Sequence, residues 1–235
     1  VGSEMCIRDS SINIGMRARE FIIESQHLPD VDEGLKDIAA AGLATIGLMG
    51  APTMSVDTPP TAQTQVTPEK SLSPYESLLK TVANKAGIKG IELAQFLAQV
   101  KHESWDFNKL KEIGTNVDFK KYDIKYNPRK AKILGNVKPG DGARYQGRGF
   151  IQLTGRDNYK RAGAALNLPL EKHPELAAKP DVAAKIAVWF WKSRVKPNVT
   201  NFKNTAEVTK YINPGMAGLA DRHDNFKDYM KKGTI

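Results

Sequence analysis

The chain has 235 residues, with 40% hydrophobic and 26% charged residues and a formal net charge of +9, the composition of a soluble globular protein with room for one ample domain and an appendage. Its single cysteine, Cys6, excludes an intramolecular disulfide framework and a cysteine-built metal cage. The charge is divided: residues 1–72 hold 5 Lys+Arg against 10 Asp+Glu (net −5) and residues 73–235 hold 30 against 16 (net +14), so the basic part should seek a polyanion such as nucleic acid, an anionic membrane or an anionic cell wall.

In chain order, residues 1–15 read as a non-native or disordered leader. Residues 1–10 resemble a translated sequencing-adapter scrap, in which case the native start is Met16 and Cys6 is not native. Residues 16–50 read as a helical, weakly apolar segment, with a short amphipathic helix expected over 16–28 and an uncharged Ala/Gly-rich run over 38–51 that serves as a marginal helix or linker or, alternatively, as a weak export or membrane-tethering segment. That run is too short for a membrane span, and Asp30, Asp32, Glu33 and Asp37 stand where a signal peptide needs a basic region. Residues 51–74, rich in Pro, Thr and Gln without apolar periodicity, read as a flexible linker.

From residue 75 the pattern turns helical. Leu78, Leu79, Val82, Ala83 and Ala86 predict a helix stopped at Gly87, and Gly90 opens a second running to about residue 105 with Leu93, Phe96, Leu97 and Val100 on one face. A third, over 122–134, is split by Pro128; 138–144 is a loop; further helices fall at 156–165, 181–192, 205–212 and 219–230. No period-2 strand is sustained, so the domain is mainly α.

Three segments could carry chemistry. In QVKHESWDF (99–107), Glu103 lies near the end of an apolar helix, and desolvation against Trp105 and the core would suit it to donate a proton near neutral pH. Glu112 follows nine residues later; in one unbroken helix nine residues turn about 900° and rise about 13.5 Å, which puts the two carboxylates on opposite faces. Only a helix that ends before about Asn108 lets Glu112 fold back to the ~6.5–9.5 Å separation of an inverting glycosidase. A zinc-protease reading of His102-Glu103 fails because position 106 is Asp where a second His is needed. In ARYQGRGFIQLTGRDNY (143–159), Gly147, Gly149 and Gly155 allow close backbone approach, Gln152, Thr154 and Asn158 suit sugar hydroxyl and acetamide groups, and Tyr145 and Tyr159 offer flat faces for sugar rings. The segment lacks the Gly-Lys-Ser/Thr ending of a phosphate loop. In YINPGMAGLADRHDNF (211–226), Asn213 sits in a Pro/Gly turn and Arg222 on the helix after it, where they could line the far wall of a cleft.

Taken together and in this order, FLAQVKHESWDF, GDGARYQGRGFIQLTGRDNY and INPGMAGLADR resemble glycoside hydrolase family 19, the chitinase-like family, and in particular its compact phage endolysin branch, over residues 75–235. The resemblance implies a mainly α, lysozyme-like two-lobed helical domain with a substrate cleft. It also implies inverting hydrolysis of β-1,4 bonds in aminosugar polymers, with no cofactor and no metal. Glu103 then matches the general acid, Glu112 the base that activates water, and Thr154 a position that helps hold that water. Gln152, Asn158, Asn213 and Arg222 match substrate-binding positions; Arg148 matches an arginine with a structural or electrostatic role, and His102 and Tyr145 complete the expected substrate-binding set. Two departures stand out: Trp105-Asp106 replaces a usual Gly-Gly, stiffening the turn or changing a subsite, and Pro214 replaces a usual Gly. The lysine-rich region 120–134 matches nothing in the family pattern. The expected partner is peptidoglycan or, alternatively, chitin. A catalytically dead carbohydrate-binding or phage structural protein is the other-class reading. The chain is expected to be a monomer with no specific nucleic-acid partner and no stable membrane span. Phage-encoded, it would be made in the host cytoplasm and act on the cell wall.

Overall fold

The computed structural model describes residues 73–233. The expectations for 16–28 and 38–51, and nearly all of the linker, lie outside these residues.

Helix α1 (Pro74–Lys85) starts where Ser73 accepts the Glu76 N–H on its side chain (3.1 Å) and Pro74 fills the first turn, which needs no N–H donor there. It buries Leu79, Val82 and Ala83, and Gly87 takes the left-handed conformation that ends it. Helix α2 (Gly90–Glu103) is buried continuously from Leu93 to Val100, which a helix can be only when wrapped on all sides. It is packed by α1, by α7 (Thr205–Ile212) and, along much of its length, by α8 (Leu219–Lys231).

The two polar residues inside α2, Gln95 and Gln99, lie one turn apart and face α7. Gln95 Nε2 donates to Thr205 Oγ1 (2.8 Å) and Gln99 Nε2 to Thr209 Oγ1 (3.0 Å). Each bond is worth about 1 kcal/mol net, but a partner lost here leaves a buried amide unsatisfied at about 1–3 kcal/mol, so the ladder fixes register between the helices. Helix α6 (Pro180–Phe190) is buried from Val182 to Phe190 and continues through a π turn (Trp191–Val195). Trp191 meets Phe96 edge-on and donates to Glu92 Oε1 (3.0 Å).

A second, small hydrophobic cluster forms around Phe119, Tyr122 and Leu134. It belongs to a lobe made of a 3-10 turn (Asp118–Tyr122), α3 (Pro128–Ile133) and the one-turn α4 (Asp141–Arg144). Three buried side chains at about 2 kcal/mol each are a modest core, and polar clamps reinforce it. Asp123 Oδ2 accepts the Gly140 N–H (2.6 Å), Asn136 Nδ2 donates to the Tyr122 carbonyl (2.9 Å), and Asp141 pairs with Arg156 (2.7 Å) at the start of α5 (Arg156–Leu166). Gly142 must be glycine: a Cβ there would lie 2.5 Å from the Phe119 carbonyl oxygen.

The mainly α expectation holds: among the described residues the only sheet-like pairing is two isolated bridges, Lys111 with Arg148 and Arg148 with Leu153. Two expectations are corrected. Pro128 does not split a helix; it opens α3 at the first turn, capped by Asn127 accepting the Lys130 N–H (3.1 Å). The loop expected over 138–144 closes into α4, because Asp141 Oδ2 accepts the N–H groups of both Val137 and Lys138 (2.9 Å each). Among the described residues no helix is long and apolar enough to cross a membrane.

Candidate active site

Glu103 is the last residue of α2, four residues beyond Gln99 and so on the same face. Its side chain is 5% exposed, and Oε1 accepts from Arg222 Nη2 at 2.5 Å. Arg222, on α8, also donates through Nη1 to Gln99 Oε1 (2.6 Å) and through Nε to the Ala217 carbonyl (3.1 Å). One buried guanidinium thus reads two side chains a turn apart, which only its rigid planar fork can do. Beside it, His102 Nδ1 lies 2.6 Å from Asp221 Oδ2, and the His102 ring covers Gly218 so closely that a Cβ there would meet it at 2.0 Å. The end of α2 and the start of α8 are therefore fastened together behind Glu103.

The helix ends abruptly because Trp105, Asp106 and Phe107 all take positive φ (49°, 59° and 64°). Ser104 Oγ donates to the Val100 carbonyl (2.6 Å) and accepts the Phe107 N–H (3.2 Å), closing the turn, and Phe107 is driven into the core. Non-glycine residues pay roughly 1 kcal/mol or more apiece in this region, which explains why a Gly-Gly pair would be the easier sequence. Trp105 does not desolvate Glu103 as expected: it is 63% exposed, with Lys109 Nζ 4.7 Å from its ring centre. Burial of Glu103 comes from the helix packing and Arg222.

After this reversal the chain returns as an extended strip. Gly149 N–H donates to the Leu110 carbonyl (2.8 Å) and Glu112 N–H to the Gly147 carbonyl (2.8 Å). These bonds hold Glu112, which is 7% exposed, against the glycine-rich segment. Its Oε2 accepts the Gly147 N–H (3.1 Å); its Oε1 accepts from the Tyr122 hydroxyl (3.1 Å) and from Lys121 Nζ (3.2 Å). These three partners are donors, the arrangement an ionised carboxylate takes.

The other side chains of the middle motif gather on the same face. A Cβ built on Gly147 would lie 3.0 Å from Glu112 Oε2, 3.0 Å from Gln152 Oε1 and 3.2 Å from Thr154 Oγ1. Gln152 reaches this place from a left-handed backbone (φ 53°), with Nε2 anchored on the carbonyls of Gly149 (3.0 Å) and Lys109 (3.3 Å). Thr154 Oγ1 donates to the Gln152 carbonyl (2.8 Å), and Asn158 Nδ2 to the Thr154 carbonyl (2.6 Å). Asn213 is buried at the C-terminal end of α7. Three buried side-chain oxygens, Gln146 Oε1, Gln152 Oε1 and Asn213 Oδ1, have no hydrogen-bond donor among the described residues. Left unmet, each costs about 1–3 kcal/mol, so a ligand rich in hydroxyl and amide donors would be bound by groups already desolvated.

Other residues of the expected set are placed elsewhere. Tyr145 and Tyr159 cannot stack on a sugar: they are 1% and 0% exposed, with rings 5.5 Å apart. Tyr145 donates to the Glu171 carbonyl (3.1 Å) and Tyr159 to the Gln146 carbonyl (2.7 Å), and burial holds the Tyr159 hydroxyl well above the usual phenol range. Arg148 is buried and donates to the Arg144 carbonyl (2.9 Å) and the Tyr159 hydroxyl (2.9 Å), a scaffold role. Sequence reasoning missed Gln99, Lys121 and Tyr122. Gln99 was visible as the residue one helical turn before Glu103; nothing in the spacing of the lysine-rich region pointed Lys121 and Tyr122 at Glu112.

The family model for class I chitinases of glycoside hydrolase family 19 matches residues 70–209. A glycosyl hydrolase family 19 domain-containing protein of Haemophilus influenzae is 31% identical over 170 residues, covering 63% of this chain and 83% of that protein. An endochitinase of Arabidopsis thaliana is 31% identical over 176 residues, 70% of this chain and 58% of its own length, so this chain spans little more than half of that relative. A third relative, 30% identical over 168 residues, is an inactive endochitinase of the same plant. Among solved structures, chitinase C from Streptomyces griseus superimposes with a TM-score of 0.50 at 26% identity over 67% of each chain. A class IV chitinase from Zea mays does so with a TM-score of 0.51 at 22% identity, over 71% of this chain and 88% of its own, a likeness of fold.

Proposed function

Because this chain belongs to glycoside hydrolase family 19, we propose that it is a glycosidase that hydrolyses β-1,4 bonds of an aminosugar polymer by an inverting, two-carboxylate mechanism. The observation that carries the reading is the presentation of two buried carboxyl groups by separate elements, Glu103 on α2 and Glu112 on the strip that returns after it. Glu103, with Oε1 held by Arg222, donates a proton from its other oxygen to the glycosidic oxygen as the bond breaks. Glu112 takes a proton from a water that attacks the anomeric carbon from the opposite face, with Thr154 and Gln152 orienting that water. Gln146, Gln152 and Asn213 supply acceptors for hydroxyl and acetamide N–H groups. The anomeric configuration of the products tests the mechanism: proton NMR of the first turnovers on a chitin oligomer should show the α-anomer, and retention of β would refute it. Glu103→Gln and Glu112→Gln should each lower kcat by about 10²–10⁴. If wild type releases no reducing ends from any aminosugar polymer, the hydrolase reading fails and the catalytically dead carbohydrate-binding reading replaces it.

Between polymers we favour peptidoglycan over chitin, on the net charge of +14 over residues 73–235. Reducing-end release from peptidoglycan and from chitin oligomers, measured side by side, decides between them. The endochitinases among the relatives support chitin as the second reading.

A further inference from the structure

The lobe that delivers Tyr122 and Lys121 to Glu112 carries a concentration of positive charge that the hydrolytic scheme does not use. Residues 109–138 contain nine Lys+Arg and three acidic residues, one of them Glu112. The other two are spent on the backbone. Asp118 Oδ2 accepts the Thr115 N–H (2.7 Å) and Oγ1 (2.9 Å); Asp123 accepts the N–H groups of Lys125 (3.0 Å) and Gly140 (2.6 Å).

The cations are arranged on two tyrosine rings. Lys121 and Lys130 lie 4.8 and 5.2 Å from the ring centre of Tyr122, and Lys120 and Lys125 lie 4.7 and 5.6 Å from that of Tyr126. Such contacts restrain side chains that would otherwise lose rotamer entropy on binding. Lys120, Lys125, Arg129 and Lys132 are exposed; the last two lie three residues apart on α3 and so share a face. The polyaromatic grip also keeps like charges together, which mutual repulsion would otherwise spread.

We propose that this lysine–tyrosine face is a docking surface for the carboxylate groups carried by a peptidoglycan strand bound in the groove, and that it directs the enzyme to a charged aminosugar polymer in preference to a neutral one. The proposal rests on the hydrolase reading and names the substrate class for the same groove. Its position follows from Lys121, which touches the Tyr122 ring and the Glu112 carboxylate at once: a strand bound across Glu112 runs beside the array.

The test leaves Lys121 and Tyr122 in place and combines Lys120→Gln, Lys125→Gln, Arg129→Gln and Lys132→Gln. Hydrolysis of a neutral chitin oligomer should stay within about twofold of wild type, since these side chains are outside the reacting groups. Binding to purified peptidoglycan, measured by co-sedimentation at low salt, should weaken about tenfold, the sum of four exposed ion pairs. Its salt dependence should flatten as well. The wild-type advantage should vanish on peptidoglycan whose carboxyl groups are amidated and survive on peptidoglycan freed of phosphate polymers; the reverse pattern would overturn the proposal. Wild-type binding and salt dependence in the quadruple variant would overturn the proposal. An equal loss on the neutral oligomer would do so too, by showing general damage. A wild type that sediments with peptidoglycan but cleaves neither substrate would refute the hydrolase reading while leaving the docking surface standing.

Discussion

Gly147→Ala tests the site with a single methyl group. Gly147 is not in the left-handed region, so alanine fits its backbone; the obstacle is steric. The new Cβ would sit 3.0 Å from Glu112 Oε2, 3.0 Å from Gln152 Oε1 and 3.2 Å from Thr154 Oγ1, all a few tenths of an ångström inside ordinary contact. Glu112 has little room to yield, because Tyr122 and Lys121 hold its other oxygen and the Gly147 N–H holds this one. The strain should cost about 1–2 kcal/mol of stability. Displacing the base by a few tenths of an ångström, and crowding the water with it, should lower kcat by about tenfold. The assay is kcat on a chitin oligomer at saturation, with circular dichroism and a thermal melt to establish that the protein is folded. Gly140→Ala is the control: its Cβ would meet nothing within 4 Å, but φ is 92°, so it should cost about 1 kcal/mol through the backbone and leave kcat unchanged. A folded Gly147→Ala enzyme with wild-type kcat would refute the assignment of Glu112, Gln152 and Thr154 to one catalytic face.

Three further outcomes are expected. Arg222→Met removes the partner of a buried carboxylate and of Gln99, and should destabilise the domain by about 3–5 kcal/mol in denaturant titrations; a loss below 1 kcal/mol would mean that Glu103 finds another partner. Asp106→Gly relieves one of three consecutive left-handed residues and should raise Tm by about 2–4 °C, on a gain near 1 kcal/mol; a fall would show that the strain is compensated by contacts of the side chain. Burial would raise the Asp141 pKa, but the Arg156 guanidinium and the N–H groups of Lys138 and Val137 outweigh it and hold the carboxyl below its usual range. A depressed folded-state pKa gives stability that is present above the unfolded value and lost as pH falls through the folded one. Asp141→Asn should therefore lower stability near neutral pH and flatten its decline below about pH 4, read as Tm against pH.

Most of the large lobe is legible in the residue pattern. The spacing of Leu79, Val82 and Ala83, and of Leu93, Phe96, Leu97 and Val100, predicts helices that the structure places within one or two residues, because an apolar face repeats at the helical period wherever it is buried. It also singled out Glu103, Glu112, Gln152 and Thr154, and required α2 to end before about Asn108. How that end is made depends on packing: the left-handed run from Trp105 to Phe107 opposes the preferences of its residues and is held by Ser104 and by Phe107 burial. Packing alone made scaffold of Tyr145 and Tyr159, since a tyrosine in a polar segment carries no periodic sign of burial, and it gave Arg148 the structural one of the two roles that the resemblance left open. And it alone brought Lys121 and Tyr122 to Glu112, because a contact across nine or ten residues of irregular chain depends on how the small core around Phe119 and Leu134 folds the segment back, not on any repeat in the sequence.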